Sequence, residues 1–172
     1  MVTLLELPIT IRDLQPSDSI DTLTALLHDA YRPLGEMGLN YTAVDQSTET
    51  TRRRIERGHC LVAVQDGRLM GTITWYAPGT QTHCAWYERL DVAVFGQLAV
   101  SPSQQRAGVG SMLIAEVERR AREEGAAELA LDTAEPAHHL IDFYARRGYR
   151  RVDLAHWQGK TYRSVIMSRA LR

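Results

Sequence analysis

The 172 residues carry 20 Lys and Arg against 21 Asp and Glu, a formal net charge of -1, and 44% of the side chains are hydrophobic. That length suffices for one domain with a full core and is short for two, so a single domain over residues 1–172 is expected. The balanced charge gives no global attraction to nucleic acid, and no stretch approaches the roughly 20 apolar residues that cross a bilayer. The opening MVTLLELPITI holds an acid and a proline within its apolar run and lacks the basic start of a secretion signal. Cys60 and Cys84 have neither metal-ligand spacing nor a disulfide pattern, so no metal is expected and a reducing cytoplasm is the expected setting.

Residues 9–14 alternate apolar and polar side chains as a half-buried strand does, and Gln15, Pro16 and Ser17 end it. A helix begins at about Asp18, with Ile20, Leu23, Leu27, Ala30 and Tyr31 at helical spacing, Ser17 as N-cap, and Pro33 and Gly35 ending it. Residues 33–46 have little periodicity and read as a loop with at most a short helical turn. Such loops carry substrate contacts when a rigid scaffold positions them, which makes Glu36, Met37, Asn40 and Tyr41 candidates; the plainer alternative is a surface connection. A second helix over 47–57 stops at Gly58. Its apolar content is nearly confined to Ile55, so its arginines read as a solvated face, with polyanion binding as the lesser alternative.

Residues 60–65 and 69–76 are apolar runs joined by Asp66, Gly67 and Arg68, a strong hairpin signal. Residues 77–93 form an excursion before the central strand. Its His83, Cys84, Trp86, Tyr87 and Glu88 are candidates for lining an acceptor pocket, against the reading in which Trp86 and Tyr87 cover the sheet.

The chain is organised around the stretch from Gln97 to Glu124. An apolar strand over 95–100 leads into a Ser- and Pro-rich turn, a loop carrying Gly108 and Gly110, and a long helix with an apolar stripe of Gly110, Leu113, Ile114, Val117 and Ala121. Glu116 with Arg120 and Glu118 with Arg122 are favourable pairs on its surface, and Gly125 terminates it. A glycine loop opening a helix is an anion site, because the first helical N–H groups lack internal partners and glycine lets a ligand come close. A phosphate-gripping lysine loop is excluded, since Ser111 and Met112 come after Gly110, and a dinucleotide fingerprint is excluded by Leu113 at its third position. A strand over 128–132 then implies a parallel pair with a right-handed crossover. A helix over 137–147 closes at Gly148, and strands over 149–154 and 161–170 flank a turn at Gln158 and Gly159. The layout is α+β, a mixed sheet with helices on its faces.

The segment QRAGVG, from Gln105 to Gly110, directly after LAVSP, resembles the acetyl-CoA-binding signature (R/Q)xxGx(G/A) of the GNAT superfamily of N-acyltransferases. FYARRGYRRV, starting at Phe143, is similar to the FYxxxGF block of the same superfamily, with Tyr149 in place of its final Phe. The resemblance implies the GNAT fold, a mostly antiparallel central sheet with helices on both faces, and acetyl-CoA as co-substrate. It implies that Gln105, Arg106, Ala107, Gly108, Val109, Gly110 and Ser111 hold the pyrophosphate. It places the pantetheine arm along Leu98, Ala99 and Val100, with the Val100 N–H on the acetyl carbonyl, and makes Tyr144 the acid for the departing thiolate.

Two positions depart from the pattern. Some members carry a glutamate base on the central strand, where this chain offers only Gln97, and an Asn common seven residues before the Tyr is Ala137 here. His138 and His139 beside it read as a surface pair. Glu36, His83, Glu88 and Asp91 remain as candidate bases, and Glu36, Tyr41, Trp86 and Glu88 as candidate substrate contacts. The expected activity is transfer of acetyl from acetyl-CoA to a primary amine, that of a small molecule, by direct attack. Alternatives are a protein N-terminus or lysine as acceptor, or a non-catalytic acyl-CoA-binding regulatory domain. No nucleic acid or membrane partner is expected, and a homodimer is the expected assembly.

Overall fold

The structure, a computed structural model, describes residues 7–172 other than Arg106. The DG hairpin forms as its sequence demands. Asp66 and Gly67 both take positive φ, 50° and 71°, and the turn joins β2 (His59–Gln65) to β3 (Arg68–Tyr76). These strands belong to a seven-stranded sheet of order β1-β2-β3-β4-β5-β7-β6, completed by β1 (Thr10–Asp13), β4 (Val92–Val100), β5 (Glu128–Ala134), β6 (Arg150–Ala155) and β7 (Ser164–Ala170). Every neighbouring pair is antiparallel except β4 and β5, which run parallel. Helix α4 (Val109–Glu123) makes the crossover between those two.

Strand alternation sorts the core into two layers. Leu61, Ile73, Phe95, Leu129 and Met167 face α4 and α5 (His138–Arg146), meeting Leu113, Ile114, Val117 and Ile141. Val62, Cys60 and Ala99 face α1 (Ile20–Glu36), α2 (Thr42–Asp45) and α3 (Thr48–Glu56), meeting Leu23, Leu27, Ala43 and Ile55.

Helix α1 departs from the sequence reading at both ends. Ser19, not Ser17, is its N-cap and accepts the Thr22 N–H at 3.1 Å, because Asp18 is occupied by Arg12 (2.7 Å) and by the Gln15 amide. The helix runs through Pro33 to Glu36. A proline this late removes one intrahelical bond, and burial of Leu34 favours continuing the turn. On α4, Glu116 pairs with Arg120 as expected, whereas Glu118 meets Tyr149 and Arg169 rather than Arg122. The last strand starts at Ser164, three residues later than the sequence pattern suggests, because Thr161 bonds to Gly38 and Asn40.

The feature that shapes the site is an irregularity in β4. Gly96 stands opposite Thr74 and Ala99 opposite Thr72, so the two residues Gln97 and Leu98 oppose the single Ile73. Gln97 absorbs the extra residue with φ of 52°, a β-bulge. The side-chain parity flips there: Ala93 and Phe95 face α4, and so do Leu98 and Val100, while Gln97 and Ala99 turn toward α1 and α2. Gln97 is 4% exposed and is held by a buried polar chain. Gln46 Nε2 donates to Gln97 Oε1 (2.9 Å) and to Thr51 Oγ1 (2.7 Å), and Arg54 Nη1 donates to Gln46 Oε1 (2.7 Å). β4 leaves β5 just ahead of the bulge and stays apart from it beyond: they pair only over Val92–Val94 and Glu128–Ala130, although β4 continues to Val100 and β5 to Ala134.

Two outcomes are expected from this packing. Leu113→Ala, at a position with no solvent exposure, lowers unfolding free energy by about 2–5 kcal/mol in urea titration. Gln46→Met keeps volume but strands the Gln97 and Arg54 polar groups, and lowers it by about 2 kcal/mol or more; a neutral result contradicts the role given to the network.

Candidate active site

The divergence of β4 from β5 opens a cleft of about 340 Å³ through the sheet. Its floor is Val94 to Leu98 of β4 with Leu131 and Asp132 of β5. Tyr144 of α5 enters from one side. From the other come Tyr31 of α1, Tyr41 beside α2, Arg54 and Arg57 of α3, and Tyr87 of the 77–91 excursion. Trp157, Lys160 and Tyr162, from the connection between β6 and β7, complete the wall. Thus the gap joins the α4–α5 side of the sheet to the α1–α3 side.

At the far end of β4 lies the glycine loop. A 3-10 turn (Pro102–Gln104) leads to Gly108, which sits at φ 81° as the N-cap of α4. Among the described residues no side chain caps this end, so its first-turn amides point outward. The Gln105 side chain donates to the Val100 carbonyl (3.3 Å), and the Ala107 amide closes a turn onto Gln104 (3.2 Å). Val109 is buried, Ser111 accepts from Arg147 Nη2 (3.2 Å), and Arg106 lies outside the described residues. A Cβ at Gly110 would stand 3.5 Å from Val100 Cγ2, so the helix start abuts the end of β4. Ser101 N–H donates to Met70 O on the β3 side. Successive amides alternate between strand edges, so the Val100 N–H points to the opposite edge of β4, away from β3.

Tyr144 is 7% exposed, its ring against Phe95, Phe143 and Tyr149. Burial pushes its phenol well above the ordinary range, so it holds its proton at neutral pH. The hydroxyls of Tyr41, Tyr76 and Tyr87 are committed to hydrogen bonds. That of Tyr144 makes none with the described residues.

Of the substrate contacts expected from sequence, Tyr41 lines the cleft, but its hydroxyl is clamped to β5, bonding Thr133 Oγ1 (2.9 Å) and accepting the Ala134 N–H (2.8 Å). Glu36, Trp86 and Glu88 are not among the residues lining it. Glu36 is exposed on the last turn of α1, and Glu88 faces solvent. Trp86 packs against the cluster of Val92, Val94, Ala130 and Ile166, with the Arg89 guanidinium 4.4 Å from its ring centroid, which supports the reading in which it covers the sheet. Among the candidate bases, His83 reaches the cleft, whereas Asp91 pairs with Arg89 (2.8 Å) outside it.

The cleft also holds residues that sequence reading missed. Arg54 shares a helical face with Thr51 and Ile55, a signal that its inward placement was legible in the spacing. Asp132 is a lone acid in the apolar strand ELALDTA, which was equally visible. Tyr31, Trp157 and Tyr162 carry no local signal, because two distant segments converge to bring them together, whereas Tyr87 reaches the cleft as the excursion's composition suggested. Lys160 Nζ donates to the Asn40 carbonyl (2.8 Å) and Thr42 Oγ1 (3.0 Å), and its pKa is lowered by burial and by Arg54. Asn40 in turn donates to the Gly159 carbonyl (2.8 Å). These bonds tie the α1–α2 loop to the β6–β7 turn.

Residues 21–149 match the sequence profile of the Acetyltransferase (GNAT) family. The chain is 28% identical over 164 residues to S-(2-succino)cysteine N-acetyltransferase of Bacillus subtilis, covering 88% of this chain and 90% of that one. It is 26% identical over 136 residues to S-alkylcysteine N-acetyltransferase of the same organism, covering 74% and 71%. Its fold is similar to a GNAT acetyltransferase from Elizabethkingia anophelis solved with acetyl-CoA bound, with a TM-score of 0.69 at 16% identity, covering 94% of this chain and 97% of that one. The profile match, the open strand pair and the uncapped helix start agree: the chain belongs to the GNAT family of acetyltransferases, and its co-substrate is acetyl-CoA.

Proposed function

We propose that the protein transfers the acetyl group of acetyl-CoA, by direct attack, to the primary amine of a small molecule that also carries a carboxylate, S-substituted cysteines being the first candidates. The observation that carries this reading is the composition of the cleft wall. Arg54, Arg57 and Lys160 supply fixed positive charge for an acid group of the acceptor. The hydrogen bonds of Asn40 and Lys160 close the wall where a protein substrate would need an open groove. The two Bacillus relatives, which act on cysteine thioethers by name, point to the same chemistry.

In this reading the amides of Gly108 to Ser111 hold the pyrophosphate at the positive end of the α4 dipole. The pantetheine arm takes the place that β5 vacates along Leu98 to Val100, and the Val100 N–H stabilises the oxyanion formed on attack. Tyr144, kept protonated by burial, donates to the sulfur as the C–S bond breaks.

The test is a turnover assay with acetyl-CoA against S-(2-succino)-L-cysteine, S-methyl-L-cysteine, putrescine, an amino sugar and a lysine peptide. Cysteine thioethers are expected to lead, and preference for the lysine peptide contradicts the proposal. Gly110→Glu introduces a charge at the helix start with room for its Cβ. It is expected to weaken acetyl-CoA binding at least about 100-fold by calorimetry, with melting temperature retained. Tyr144→Phe is expected to lower kcat about 100-fold while leaving acetyl-CoA affinity within threefold; an unchanged kcat removes the acid role.

A further inference from the structure

The acceptor amine arrives as an ammonium and must shed a proton before it can attack, yet most charged side chains of the cleft are cations: Arg54, Arg57 and Lys160. Among the described residues lining it, Asp132 is the one acidic side chain. We infer that Asp132 receives the acceptor's ammonium and takes its proton, the role for which the central strand offers only Gln97. This rests on reading the cleft as the acceptor site.

Three observations support the assignment. Asp132 lies two residues beyond Ala130, the last residue of β5 paired with β4, so it stands where the strands part. Its carboxylate is held from two separate segments: Tyr87 Oη donates to Oδ1 (2.9 Å) and Trp157 Nε1 donates to Oδ2 (2.9 Å). Both donors are neutral, so the negative charge is oriented without being cancelled, and each oxygen keeps an accepting direction for the ligand. The rings of Tyr87 and Trp157 stack with centroids 6.4 Å apart, giving the ammonium an aromatic surround. Asp132 is also solvent-exposed, so a captured proton can pass to water. Gln97 cannot substitute: its amide is committed to Gln46 and Thr74 and has no basic lone pair.

The proton count closes. The ammonium gives one proton to Asp132, and the freed nitrogen lone pair forms the N–C bond at the thioester carbonyl. Collapse of the adduct breaks the C–S bond, the sulfur takes the Tyr144 proton, and the nitrogen's surplus proton restores the phenol. Asp132 then releases its proton to water, for a net yield of amide, CoA thiol and one proton.

The groups that feel the charge of Asp132 are the phenols of Tyr31, Tyr41, Tyr87, Tyr144 and Tyr162, all raised by burial and hence neutral, together with Cys84 and Lys160; Arg54, Arg57 and His83 share the cleft with it. Imidazole is the side chain that ordinarily exchanges protons near neutrality, and His83 lines the same cleft, which makes it the control.

The experiment compares wild type, Asp132→Asn, Asp132→Glu and His83→Ala, with acetyl-CoA affinity by calorimetry as the check on folding. For the amine turned over fastest in the panel, Asp132→Asn is expected to lose about 100-fold or more in kcat/KM at pH 7. The deficit should shrink as pH approaches the pKa of the amine, where solvent supplies the neutral form, and Asp132→Glu should recover part of it. In the presence of CoA, Asp132→Asn should bind S-methyl-L-cysteine at least tenfold more weakly than wild type, yet bind its des-amino analogue 3-(methylthio)propanoate equally well. Three results overturn the assignment: activity within threefold of wild type at every pH, a loss that is constant with pH and shared by the des-amino analogue, or a pH-dependent deficit in His83→Ala that Asp132→Asn lacks. Should wild type bind acetyl-CoA but acetylate no amine in the panel, the proposed function fails separately, and the paired binding measurement still decides Asp132.

Discussion

The site depends on one extra residue in one strand. Two parallel strands joined by a crossover helix would ordinarily stay hydrogen-bonded along their length. The bulge at Gln97 prevents this, because it turns β4 while β5 continues toward its own partner β7, which pairs with β5 from Glu128 to Ala134. The result is a strand whose outer edge faces a gap rather than a neighbour. The positive φ of Gln97 costs of order 1–3 kcal/mol for a non-glycine residue. The bonds from Gln46 help to hold it in place, and Gln46 in turn orients Arg54. One buried network therefore supports both the shape of the cleft and a charge on its wall.

In the proposed reading, that arrangement separates the tasks of acyl transfer by sheet face. The glycine loop, α4 and Tyr144 lie on one side, where backbone amides and a buried phenol suit an anionic carrier and a leaving thiolate. The cations, the aromatic wall and Asp132 lie on the other, where a charged amine can be sorted from its competitors. The gap between β4 and β5 is where the two meet. Hydrogen bonds among Asn40, Thr42, Gly159 and Lys160 tie that wall together, and in the same reading they close it to bulky acceptors.

Local sequence carried the fold well and the acceptor side poorly. The Asp66-Gly67 turn, the Gly108 helix start and the apolar stripe of α4 are short-range patterns with direct physical causes, and each formed where expected. Pro33 was overruled by the burial of Leu34, a tertiary effect that no local rule contains. The bulge was unreadable because an apolar strand with one glutamine looks the same with or without a register shift. Trp86 and Tyr87 are adjacent and chemically similar, yet one packs under Arg89 and the other reaches Asp132. Their difference lies in the path of the excursion. Asp132 and Arg54 did leave a trace, each a charge on a face otherwise given to burial.

The central claim is that the outer edge of β4 beyond the bulge receives the acyl carrier. Backbone hydrogen–deuterium exchange with and without acetyl-CoA tests it most directly. The amides from residue 98 to 100 and from 108 to 111 should gain protection together on binding, while those of the outer strand β6 stay unchanged. Tight binding of acetyl-CoA with no added protection along residues 98–100 would contradict the account.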